Sequence, residues 1–142
     1  MVLRIVGVLL LLLGVAMSAF LIWGLSDTRF MAELFSAASQ AQGFEFDAPT
    51  WSHHWRLNGV ILLCIGIGVA ISGAIVVQRK PWGLLLFATT AAFAAVFPWA
   101  YMQLGFARYG FEDPSLADSS VYGLLALLAI LSFIVSRTRA GT

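Results

Sequence analysis

Apolar positions fall into four long runs, separated by one short basic turn and two longer polar stretches. The central pair is the clearest. From Leu57 to Leu104 nearly every side chain is aliphatic, aromatic, Gly or Ala, and the run breaks only at Gln78-Arg79-Lys80-Pro81. About 20 apolar residues coiled as an α-helix match the ~30 Å hydrocarbon core of a bilayer. The pattern therefore predicts an all-α fold: a polytopic membrane protein, a four-transmembrane-helix bundle forming a single domain over 1–142. Its helices are expected at about 5–25, 57–77, 82–104 and 119–136, with loops at 26–56 and 105–118.

The first run has a rival reading as a signal peptide, with Arg4 as its basic end and Ala16-Met17-Ser18 as a cleavage site. The run continues through Phe20, Leu21, Ile22 and Trp23, beyond a usual signal core, so a retained membrane helix is expected. The loop that follows predicts a short amphipathic helix. Asp27 or Thr28 can cap it, Gly43 can end it, and Phe30, Met31, Leu34, Phe35 and Ala38 recur at helical spacing. Gly43 to Asp47 alternates apolar and polar and reads as extended or loop-like, closed by Pro49. Trp51 to Arg56 is then placed in the loop, just ahead of the second membrane helix. At the far end, Asp113-Pro114 is a helix start signal before the fourth run.

Small residues suggest how the helices pair. Gly59, Gly66, Ala70, Gly73 and Val77 share one face of the second run, and Ala88, Ala92 and Ala95 form a stripe on the third. Helices in lipid associate through close backbone approach at such residues. Folding about Arg79-Lys80 brings the two stripes to similar depths, so Gly66, Ala70 and Gly73 are expected to pack on Ala88, Ala92 and Ala95.

Composition and charge sharpen this reading. Of 142 residues, 61% are hydrophobic and 11% charged, whereas a soluble domain carries about 25% charged residues. A net charge of +1 gives no field for nucleic acid. The lone Cys64 excludes an internal disulfide. Arg4, Arg79, Lys80, Arg137 and Arg139 lie in the N-terminus, middle turn and tail, which hold no acid; the two long loops hold every Asp and Glu. The positive-inside rule then puts both termini and the turn in the cytoplasm, in a multi-pass protein of the cell (plasma or inner) membrane. Trp23, Trp51, Trp55, Trp99 and Tyr101 are expected as anchors at the outer interface and Trp82 at the inner one.

Candidate chemistry is sparse. No Asp, Glu, Lys, Arg or His lies within the four runs, away from their edges. Coupled transporters usually need such a group, and haem between helices needs an axial ligand such as His. The core polar residues, Ser18, Ser72, Thr89, Thr90, Gln103 and Ser132, are of types that usually bond to backbone or neighbouring helices. His53 and His54, with Glu45 and Asp47 upstream, are the one constellation with metal-ligand chemistry. Adjacent histidines chelate one ion poorly, so an interfacial belt is preferred, with indoles at headgroup depth and His and Arg56 meeting phosphate and water. The sequence thus favours a non-enzymatic integral membrane protein without cofactor or catalytic residues. It would serve as an accessory or assembly partner of a larger membrane complex through its aromatic-rich outer loops, which carry Phe30, Phe35, Phe44, Phe46, Phe106 and Phe111, with the bilayer, other membrane subunits or its own copies as partners. The alternatives are a small passive transporter or lipid carrier using Thr89, Thr90, Gln103 and Pro98, and an outer-face metal-binding protein.

Overall fold

A computed structural model describes residues 2–41, 43, 46–103 and 116–138. Its elements are α1 (Val2–Ser26), α2 (Thr28–Ala41), α3 (Ala48–Val77), α4 (Trp82–Gln103) and α5 (Leu116–Thr138). All but α2 are long and apolar enough to cross a membrane. Their outward faces suit lipid: Leu9, Leu12 and Leu13 on α1, and Leu124, Leu127 and Leu131 on α5, are each more than half exposed. The Asp113-Pro114 start signal and most of the 105–118 loop lie outside the described residues.

α2 forms where the amphipathic pattern predicts it. Its backbone begins under a side-chain cap, Phe30 N donating to Asp27 Oδ1 at 3.1 Å. Met31 and Ala32 are its buried residues, while Phe30, Leu34 and Phe35 stay exposed.

The expected helix start at 57 is corrected: α3 begins nine residues earlier, at Ala48. Pro49, expected to close the loop, stands in the first turn of α3. There its missing N–H costs nothing, because first-turn N–H groups have no intrahelical partner. Trp51 to Arg56 is consequently helical.

The α3–α4 turn falls at the predicted residues. Lys80 N donates to Ile75 O at 3.3 Å and Arg79 N to Val76 O at 2.9 Å, the paired bonds of a Schellman cap. Arg79 takes the left-handed position, φ 62°, that glycine usually fills.

The expected stripe pairing is also corrected. The small-residue face of α3 meets α1. A Cβ at Gly73 would fall 2.7 Å from Gly7 O, one at Gly14 2.7 Å from Gly66 O, and one at Gly66 2.8 Å from Ser18 Oγ. The first span carries its own glycines, Gly7 and Gly14, at heptad spacing. They allow backbone-to-backbone approach that an alanine stripe cannot match. α4 instead meets α3 at Gly68, which lies against Thr90, and at Gly83, which lies against Ser72 O and Ile75. The buried stripe of α4 is Leu84, Ala88, Ala91 and Ala94; Ala92 is exposed and Ala95 half-buried.

The long helices pack in series, α1 on α3, α3 on α4 and α4 on α5, with α2 against α3 and the end of α1. Among the described residues no other pair of long helices makes more than a marginal contact.

Candidate functional site at the α2 end

The early start of α3 builds a small core outside the apolar runs. Trp51 and Trp55, one turn apart, stack at 5.3 Å with 9° between their planes. They are buried with Met31 and Ala32, and Leu25 and Phe46 pack around them. Phe35 adds ring contacts at 5.0 Å to Trp51 and 5.8 Å to Trp55. Trp55 Nε1 donates to Gly24 O at 3.1 Å, tying α3 to the end of α1. The core thus joins three helices at one end of the molecule.

This geometry changes the interface-anchor expectation. Trp51, Trp55 and Tyr101 are 2%, 7% and 7% exposed, so their rings lie within the protein and not in a headgroup belt. A helical Trp51-x-x-x-Trp55 pair shares one face, and α2 lies over that face; the belt reading had assumed a loop. Trp23 and Trp82 remain half-exposed. Trp23 lies against Phe30 at 5.5 Å. Trp99 is partly buried and its Nε1 donates to Ser119 Oγ at 2.7 Å, bridging α4 and α5.

The two histidines part company for the same reason. Successive residues of a helix point about 100° apart. His54 is buried, its Nδ1 3.0 Å from the Tyr101 hydroxyl, with the donor set by the imidazole tautomer. His53 is exposed and lies roughly perpendicular to that ring, at 5.7 Å between centroids. Asp47 sits exposed at the N-cap position of α3, and Glu45 lies outside the described residues. Among the described residues no three His, Cys, Asp or Glu side chains gather as a metal site.

The hydroxyls of the solute-path candidates Thr89 and Thr90, and that of Ser72, bond into their own helices. Thr89 donates to Leu85 O, Thr90 to Leu86 O and Ser72 to Gly68 O, at 3.0, 2.9 and 2.6 Å. α4 continues through Pro98 to an exposed Gln103.

Two features escaped the sequence reading. Asn58 Oδ1 and Ser18 Oγ are buried without a hydrogen-bond partner among the described residues. Asn58 follows His54 by four residues, so the spacing that puts both on one face was available once Trp51 to Arg56 was known to be helical. The second feature is an open groove of about 310 Å³ between α2 and the first turns of α3. Its polar lining includes Arg29, Ser52 and Arg56. Comparison with protein-family models, curated proteins and solved structures gives no match.

Proposed function

We propose that the chain is a small, non-enzymatic multi-pass protein of the cell (plasma or inner) membrane, acting as an accessory or assembly subunit of a larger membrane complex. Its termini and the α3–α4 turn face the cytoplasm, and α2 lies on the outer side. The charge asymmetry of the loops supports the orientation. Impermeant thiol labelling tests it in a Cys64→Ala background: Ser39→Cys should label in intact cells and Thr138→Cys should not, and the reverse pattern would refute it.

The serial packing carries the assembly reading. A solute path through one chain needs helices arranged around it. Here α1 and α5 occupy opposite ends of the contact order, and the hydroxyls of Ser72, Thr89 and Thr90 are turned onto their own backbones. Such a row is completed by a further subunit or a second copy.

The test is extraction of the full chain from its native membrane into nanodiscs, followed by native mass spectrometry. The expected particle contains either several copies or a fixed number of a second subunit per chain. A single chain that supports solute flux by itself in proteoliposomes would overturn the proposal.

A further inference from the structure

The groove at the α2 end has the chemistry of an oxyanion site. Ser52 and Arg56 stand one turn apart on α3, and Arg29 lines the same groove from α2. Ala32, Ala48 and Pro49 are its apolar lining. Arg56 is exposed and, among the described residues, makes no ion pair or hydrogen bond. Arg29 uses Nε on Glu33 at 3.1 Å, and its exposed side chain keeps its terminal N–H donors unbonded among the described residues. Thr28 lines the wall with its hydroxyl already given to Leu25 O at 3.2 Å. Nearby acids are Asp27, which caps α2, Glu33, held by Arg29, and Asp47 at the start of α3. The positive end of α3 adds to the potential without being a site alone.

The depth of the groove identifies the oxyanion. The apolar run 57–77 of α3 is about 31 Å long at 1.5 Å per residue, the thickness of the hydrocarbon core. Ala48 to Arg56 therefore projects beyond it, and the groove opens where phospholipid phosphates lie. Paired guanidiniums match a phosphate better than ammonium groups do, through forked donors of fixed geometry.

We propose that Arg29, Arg56 and Ser52 bind a phosphate group, presented at this depth by a phospholipid headgroup. The choice of a lipid as source rests on the membrane reading above; the phosphate chemistry does not.

The test uses the full chain, purified in a maltoside detergent and stripped of lipid. Its melting temperature is followed against phosphatidylglycerol, diacylglycerol with the same tails, and inorganic phosphate. Phosphatidylglycerol should raise the melting temperature by mass action, and diacylglycerol should not. Arg29→Gln/Arg56→Gln should raise the lipid concentration needed by about tenfold or more. Arg56→Lys should weaken binding less, and Arg79→Gln, the same charge loss at the far turn, should match wild type. Reading the ligand-induced change separates binding from any change in basal stability, and the exposed single variant Arg56→Gln repeats the test should the double variant fold poorly. If inorganic phosphate stabilises with the same arginine dependence and the lipid does not, the phosphate site stands and its source is free phosphate. Equal effects of diacylglycerol and phosphatidylglycerol, or wild-type affinity in the double variant, would overturn the site. Release of the chain from membranes by alkaline carbonate would instead refute the membrane reading, leaving the phosphate arm to decide the site.

Discussion

Replacing Gly73 by alanine adds one methyl group at one of the tightest points of the α1–α3 interface. That Cβ would lie 2.7 Å from Gly7 O and would also press on the Leu11 backbone nitrogen. Carbon–oxygen contacts between close helices settle at about 3.3–3.6 Å. The helix axes must therefore part by at least roughly 0.6 Å, and because both partners are backbone, no rotamer change relieves the clash. Parting also loosens Gly14 against Gly66 and Ala70, two turns away on the same seam. Overpacking typically costs about 1–3 kcal/mol, and the upper half of that range is expected here.

Gly123→Ala on α5 is the matched control. Nothing stands within 4 Å of its would-be Cβ. In a helix interior the change should be neutral or stabilising by about 0.5–1 kcal/mol. Thermal unfolding in detergent, read by far-ultraviolet circular dichroism, compares the two. A lower melting temperature for Gly73→Ala with none for Gly123→Ala is expected. Equal melting temperatures would refute the glycine seam between α1 and α3.

Trp51→Ala should cost about 3–5 kcal/mol, because the ring is buried and touches Trp55, Phe35 and Phe46; denaturant unfolding measures it, and a loss below about 1 kcal/mol would place the ring outside the core. Arg79→Gly should stabilise by about 0.5–1 kcal/mol by relieving the positive φ, read as a higher melting temperature. Tyr101→Phe should cost about 0.5–1.5 kcal/mol through loss of the His54 bond, whereas His53→Gln should stay within about 0.5 kcal/mol of wild type; similar losses for both would contradict the split roles of the histidines.

The legible parts of this fold were those governed by hydrophobic length. The end of α3 at Val77 and the start of α4 at Trp82 follow directly from the break at Gln78 to Pro81. The start of α3 was not legible in the same way, since Trp51-Ser52-His53-His54-Trp55-Arg56 is too polar to count as span. Pro49 carries two meanings, loop closure and first-turn residue, and only packing against α2 selects between them. The stripe on α3 was visible, but its partner was not. Two stripes at similar depth give no energy difference until backbone distances are known, and the glycines of α1 permit the closer approach. The groove was hidden for the same reason as the early helix start: Ser52 and Arg56 share a face only if the segment is helical.

The faces of α3 explain why the chain leaves its row open. Gly59, Gly66, Ala70 and Gly73 look toward α1, while His54, Gly68, Ser72 and Val76 look toward α4. At 100° per residue the centres of these two faces lie roughly 130° apart around the helix. A square four-helix bundle requires neighbours about 90° apart at every corner, and a flat row about 180°. At 130° the row bends at α3 by less than a square corner, and among the described residues α5 packs on α4 with no more than marginal contact to α1. No loop length in this chain alters that angle, because it is written in the spacing of the residues on α3. Closing the row requires either narrowing the spacing or supplying a helix from another chain, and the exposed leucines of α1 and α5 are apolar enough to meet lipid or such a helix equally well.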